Sequence, residues 1–425
     1  MGQRRQVGRR AERPLLSPAD GVRRSVPPLS ENTRAGSSPQ RVDLDGVALP
    51  LADHLIVIAS DGALLALDGG GRRLWEALQA GCSIDDLVEA AIESGGLSPE
   101  LARTSVASAL QAWRDFGLID ASAPPLAGTL VAEPAPARER ERARPPALDA
   151  VYLTGDLPVR IRCDDVVLAK VLDAACGSHR LEGHQGAAAS IDVIEQSDGL
   201  AVRADNAPLA GTSEVTRQRA LARHRCLTAL LETSRERRRW LGILHASAVG
   251  ARGRCVVFPG AKGSGKSTLA AALVAAGVDF VTDDYAPLEQ ASWCVWPVPY
   301  APGIKSGSWR ALRRYYPELQ EFPVHRLAGL RIRYLKLDAA RMAPLDLGLP
   351  VAALVFPHYQ VGAGFEQRRL TAPETFAGLC HARSMLDRHP DALAETLRWV
   401  TSVPAYRLTY GDLKEAREWV LSLWS

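Results

Sequence analysis

The sequence predicts an α/β protein in which a small winged-helix-like α+β module precedes a larger α/β region. Three observations carry that expectation. From Ile243 onward, strand-like apolar runs alternate with helical ones, and the glycine-rich loop 260–265 sits between one of each. Residues 42–120 show a hairpin signal followed by three helical segments, a block small for an enzyme. Between the two regions lies 121–147, rich in Pro, Ala, Arg and Glu and without periodicity, which reads as a linker. A chain of 425 residues is too long for one ordinary core, so several domains are expected.

Taken in order, residues 1–41 form a basic tail with nine arginines against Glu12, Asp20 and Glu31. The chain's net charge of +3 therefore belongs to the tail, and the remainder carries about −3. No aromatics interleave those arginines, so solvated disorder is favoured over nucleic-acid contact. In 42–120, the apolar runs His54–Ser60 and Ala63–Leu67 flank Asp61-Gly62, a hairpin turn pair. Arg72–Leu78 reads as helix, and Ser83 caps a second helix with Asp86 at the capping-box position. Ser98-Pro99-Glu100 opens a third, with Leu101, Leu110, Trp113 and Phe116 near one face and Gly117 after it. Residues 148–242 mix short strands (Val159–Arg162, Ser190–Ile194) with a helix expected over 213–240, and 243–425 completes the chain.

Composition narrows the function classes. With 47% apolar and 23% charged residues, global disorder is excluded. No apolar run approaches the ~20 residues of a membrane span. Met1–Arg10 carries four arginines with no apolar stretch behind them, which argues against a secretory signal. Seven scattered cysteines without a CxxC pair argue against a disulfide framework or zinc knuckle and for a reducing, cytoplasmic setting.

The chemistry concentrates after residue 243. Gly260-Ala261-Lys262-Gly263-Ser264-Gly265-Lys266-Ser267-Thr268 matches GxxxxGK[ST], with the strand Arg254–Phe258 ahead and the helix Leu269–Ala276 behind. Such glycines let successive N–H groups face phosphate oxygens, and a helix N-terminus adds positive potential. Lys266 would reach the β/γ-phosphates and Ser267 would ligate Mg²⁺. The apolar run ending in Asp283-Asp284 is expected to deliver two carboxylates beside the loop's strand. Alternation would aim only one at the site unless the strand ends there. His245 enters the first strand in Leu244-His245-Ala246-Ser247, and Lys305 falls in a loop after a Trp- and Pro-rich stretch.

The run from His245 to Val249, the loop GAKGSGKST and VDFVTDD together resemble the HPr serine kinase/phosphorylase family. They are closest to its shorter relatives associated with ribosomally made, modified peptides, including lasso-peptide kinases. The likeness continues through GIKSGSW, Ile332–Leu335, ALVFPHYQ and VPAYRLTYGDL, so that it covers roughly 148–425. It implies an HPr-kinase-like P-loop domain that uses ATP and Mg²⁺ to phosphorylate a serine hydroxyl. Carried over by position, Gly260 to Thr268 would hold the nucleotide, with Lys305 touching phosphate and His245 lining the site. One of Asp283 and Asp284 would be the base and the other would assist the metal. Families of this kind often assemble, which leaves a homo-oligomer open. A Glu-Arg-Gly segment and the extended C-terminal signature of HPr kinases are absent, Ala328-Gly329-Leu330-Arg331 standing nearest the former, which points away from HPr as substrate.

Residues 42–120 resemble the PqqD-type peptide-recognition domain, on LLALD (64–68), LWEAL (74–78), SIDDL (83–87) and ALQAWRDFGL (109–118). That resemblance implies a precursor peptide as partner, its leader added as a strand to the sheet edge. A DNA-binding winged helix is the alternative, disfavoured because the third helix carries only Arg103 and Arg114 as basic residues. For the whole chain, two rivals to a peptide kinase remain at this point: an HPr-like regulatory protein kinase and a non-catalytic, ATP-gated peptide chaperone.

Overall fold

The computed structural model describes residues 46–59, 63–95, 97–116, 118–119, 145–154, 157–183, 186–204, 215–233, 238–298 and 300–424. The tail 1–41, most of the linker 121–147 and the turn pair Asp61-Gly62 lie outside the described residues. What is described is a mixed α/β protein with four separate sheets. No helix among these residues is long and apolar enough to cross a membrane.

The first sheet has three antiparallel strands in chain order: Val47–Leu51, His54–Ile58 and Leu64–Leu67. The last two are the expected hairpin. Val47–Leu51 was not legible, because Pro50 interrupts a short run and edge strands are where proline is tolerated. Three capped helices follow. Asp68 accepts from the Gly71 N–H ahead of Gly69–Gln79, Ser83 and Asp86 exchange hydrogen bonds at the start of Ile84–Gly95, and Ser98 accepts from the Leu101 N–H of Pro99–Asp115. The buried stripe of the third helix is Ala102, Val106, Leu110 and Trp113, whereas Leu101, expected on that face, is 52% exposed. Trp75 is fully buried and meets Trp113 edge-on at 5.5 Å.

The region 148–242 forms a five-stranded sheet, ordered Arg180–Leu181, Leu148–Thr154, Leu157–Cys163, Ala189–Gln196, Gly199–Ala204. Helices Val166–Cys176 and Arg219–Glu232 pack in the same core. The second is the expected long helix, cut short at both ends. Thr216 exchanges two backbone hydrogen bonds with Leu200, which holds the chain extended there, and Trp240 opens a strand.

A ten-stranded sheet dominates the rest. Ala246–Ala251 and Arg254–Pro259 form a hairpin about Arg252-Gly253, both left-handed. Asp279–Thr282 pairs with the first of these, so the carboxylate-bearing strand lies one strand away from the loop's strand rather than beside it. Leu349–Tyr359 runs parallel to Arg254–Pro259 on its other side and to Ala405–Tyr410. The helix after the glycine loop, Lys266–Val274, is buried from Leu269 to Val274 on every side, as a central core helix should be. A three-stranded sheet of Gly303–Lys305, Leu330–Tyr334 and His325–Leu327 stands apart, and Lys305 ends a strand there rather than lying in a loop.

The N-terminal sheet rests against the large region. Leu51, Ile56 and Ile58 share a buried cluster with Leu393 and Leu397 of the helix Pro390–Ser402. A cleft of about 540 Å³ remains between Leu49–Ala52 and that helix.

Candidate active site

The site forms where strands stop. Arg254–Pro259 ends at Gly260, and the chain turns into the helix at Lys266 through Gly263 (φ +89°) and Gly265 (φ +104°). A side chain at Gly265 is excluded twice over. Its φ is left-handed, and a Cβ would lie 2.5 Å from the Tyr410 hydroxyl oxygen. Tyr359, whose ring lies 5.6 Å from that of Tyr410, donates its backbone N–H to the Ser264 carbonyl and fixes the loop's far side. The Ser264 hydroxyl is buried with no partner among the described residues. Lys266 Nζ donates to the Gly260 carbonyl at 2.6 Å and the Ala261 carbonyl at 3.2 Å. Burial holds its ammonium below the ordinary lysine range, against the pull of Asp284 and Asp283.

Asp279–Thr282 ends just before the two aspartates, which frees them from strict alternation. Asp283 is buried and fully engaged. Its Oδ1 accepts from the Ser267 hydroxyl at 2.8 Å and from the Ser247 hydroxyl, and its Oδ2 accepts from the Gly303 N–H at 3.0 Å. Asp284 has a left-handed φ of +65°, a strained conformation of order 1 kcal/mol that aspartate tolerates better than most. Its carboxylate receives no hydrogen bond from the described residues. It faces Arg223 Nη2 and His245 Nε2, each at 3.9 Å. The environments push the pair apart. Burial and the Asp284 charge raise Asp283 above the usual carboxylate range, despite its three donors. Burial would also raise Asp284, but the charges of Arg223, Lys305 and Lys266 together draw it below that range.

His245 breaks the chain between the strands Trp240–Leu244 and Ala246–Ala251. Its Nδ1 lies 2.7 Å from the Ala382 carbonyl, which only accepts, so the proton is on Nδ1 and a neutral ring presents a bare Nε2 to Asp284. Burial and the Lys266 charge both lower its affinity for a second proton.

Six of the expected residues thus converge: Ser267, Asp283, Asp284 and His245 through contacts, and Lys266 and Lys305 through their charge on Asp284. Two do not. Thr268 turns to the Ser308 hydroxyl at 2.6 Å, and Lys262 is exposed on the loop with Ala261. The sequence reading missed Ser247, the Gly303 N–H, Arg223 and the Ala382 carbonyl. Only Ser247 left a signal, since it stands two residues from His245.

The donor set suits a hydrated Mg²⁺ carried by nucleotide phosphates. Such an ion takes one or two carboxylates and keeps phosphate and water oxygens. Here a hydroxyl and a buried carboxylate stand together, while no group of three or more His, Cys, Asp or Glu among the described residues could hold a metal ion by itself.

No family model matches this chain, and no curated protein matches it. Among solved structures, the chain is similar to TbiB1 in complex with the TbiA(beta) leader peptide, at 20% identity. That match covers 20% of this chain and 95% of the other, with a TM-score of 0.17.

Proposed function

We propose that this protein is an ATP-dependent kinase that phosphorylates a hydroxyl, a serine in the first instance, of a ribosomally made precursor peptide. The observation that carries the reading is the division of labour between the two aspartates at the mouth of the glycine loop. Asp283, tied to Ser267, has the partners of a metal-side carboxylate. Asp284, ionised and without a hydrogen bond from the described residues, has those of a base.

In the step proposed, the acceptor hydroxyl oxygen bonds to the γ-phosphorus of ATP, the bond from that phosphorus to the β–γ bridging oxygen breaks, and ADP leaves. The hydroxyl proton passes to Asp284. His245 Nε2, neutral and 3.9 Å away, is placed to take it on toward solvent. Lys266 exchanges its loop carbonyls for phosphate oxygens, and the loop N–H groups take up negative charge as it develops. Ser267 and Asp283 are the residues that would hold Mg²⁺, whose charge neutralises the phosphates. The N-terminal sheet offers Leu64–Leu67 as an edge strand, the kind of surface to which an extended leader can add by main-chain hydrogen bonds.

The test is mass spectrometry of a leader-bearing precursor peptide, incubated with the protein, ATP and Mg²⁺, with and without its leader. Leader-dependent gain of a phosphate supports the reading. No gain, with ATP still bound, turns the weight to an ATP-gated binding protein.

A further inference from the structure

We infer that Arg223, from the region 148–242, is a positioning residue of the phosphoryl-transfer site, holding the Asp284 carboxylate toward the acceptor. The inference rests on the kinase reading above and adds a residue that neither the loop motif nor the aspartate pair brings with it.

Arg223 lies on the helix Arg219–Glu232, whose apolar face, Ala222, Cys226, Leu227 and Leu230, is buried in the core of the five-stranded sheet. That packing fixes the direction of its side chain, which is 15% exposed. The guanidinium lies 6.0 Å from the centre of the Tyr334 ring, and its Nη2 points at Asp284 Oδ2 from 3.9 Å. Its Nε is buried without a hydrogen-bond partner among the described residues. A buried arginine is costly unless its charge is used, and among the described residues Asp284 is the carboxylate it faces.

The aspartate has matching needs. Asp283 is held by three donors, but Asp284 has none among the described residues and sits on a strained backbone. Its carboxylate is placed by charge, with Arg223 3.9 Å from one oxygen, while the neutral His245 ring stands 3.9 Å from the other. Removing Arg223 takes away the cation beside that oxygen, and the carboxylate is free to turn toward Lys266 and Lys305, the other cations that act on it. A base displaced by about 1 Å loses on the order of 100-fold in rate, with little change in nucleotide binding. Arg223 itself forms and breaks no bond.

The experiment compares the full-length protein with Arg223→Ala, Arg223→Lys and, as a control on the same helix, Arg219→Met. Arg219 pairs instead with Asp165, at 2.8 Å. Expected for Arg223→Ala is a kcat for phosphopeptide formation about 100-fold lower, an unchanged KM for ATP, and partial recovery on adding free guanidinium at sub-denaturing concentration. Arg223→Lys should fall between, and Arg219→Met should keep its kcat. A loss in Arg219→Met as large as that in Arg223→Ala, or a loss that guanidinium does not relieve in a variant that melts like wild type, overturns the inference. So does full activity of Arg223→Ala. Should the wild type make no phosphopeptide, the kinase reading falls by itself. The same variants are then compared in slow ATP hydrolysis, with water as acceptor, where an unchanged rate or the absence of any wild-type hydrolysis overturns the inference as well.

Discussion

Replacing Lys266 with methionine separates the glycine loop's fold from its function. Methionine keeps most of the buried aliphatic stem and removes the ammonium with its hydrogen bonds to Gly260 and Ala261. Each bond from a charged donor contributes about 1.5–3 kcal/mol. Two effects offset the loss: Ala261 is exposed, so its carbonyl regains water, and the burial that depresses the lysine's proton affinity no longer opposes folding. The net change in stability should stay within about 2 kcal/mol, a shift of only several degrees for a body of this size. Nucleotide linkage should respond quite differently. At one hundred times its Kd, Mg·ATP stabilises the wild type by about 2.7 kcal/mol, which is a rise of about 5–10 °C in Tm. Lys266→Met should show almost none of that rise and a transfer rate at least about 100-fold lower. Thermal melts with and without Mg·ATP, alongside phosphopeptide mass spectrometry, read both quantities. A variant that keeps the full nucleotide-induced rise and still transfers phosphate would refute the assignment of this loop to phosphate binding.

Asp283→Asn and Asp284→Asn should diverge. The first weakens the Mg²⁺-dependent part of the thermal shift, while the second keeps that shift and loses transfer by about 10²–10⁴-fold, and equal behaviour in melts and assay would remove the division proposed for the pair. Trp75→Ala, which empties the centre of the N-terminal module, should cost that module about 3–5 kcal/mol and abolish leader binding by fluorescence anisotropy, while the Mg·ATP shift of the large region persists. His179 supplies a pH signature of stability. Burial lowers its pKa from 6.5 to about 4, so the native state refuses a proton that the unfolded state accepts. Its contribution is intact above pH 6.5 and is lost as the pH falls toward 4, by at most about 3 kcal/mol, so His179→Asn should flatten denaturant midpoints across that window.

What the sequence made legible was local. The glycine loop, the hairpin His54–Leu67 and the helix starts at Ser83 and Ser98 each depend on a handful of consecutive residues whose backbone needs are strong. Even the uncertainty over Asp283 and Asp284 was framed correctly, since both reach the site because the strand ends at Thr282. What stayed hidden depends on residues far apart in the chain. Arg223 is one of several arginines on its helix, and only the docking of that helix aims it at Asp284, 61 residues on. The Ala382 carbonyl that fixes the tautomer of His245 is 137 residues away, and a backbone acceptor leaves no mark in a sequence. Strand order failed for the same reason. Nothing local says that Ala246–Ala251 enters between the loop's strand and Asp279–Thr282.

The linker composition of 121–147 suggested two bodies joined only by a tether, and the packing asks for more. One continuous segment serves both. At its start, the Ala382 carbonyl and the Ser384 hydroxyl hold the ring and the backbone N–H of His245. Met385–Leu386 then pairs with Gly242 and Ile243, and the Asp387 N–H bonds to the Leu241 carbonyl, which locks the segment to the strand leading into His245. The helix Pro390–Ser402 follows at once, and its Leu393 and Leu397 are buried with Leu51, Ile56 and Ile58 of the N-terminal sheet. The module that would receive a leader therefore rests on the same stretch of chain that orients a histidine of the chemical site. A tether raises the concentration of an acceptor near the site but gives it no direction. A packed contact supplies direction, because a peptide added to the far edge at Leu64–Leu67 leaves from a fixed place relative to Asp284.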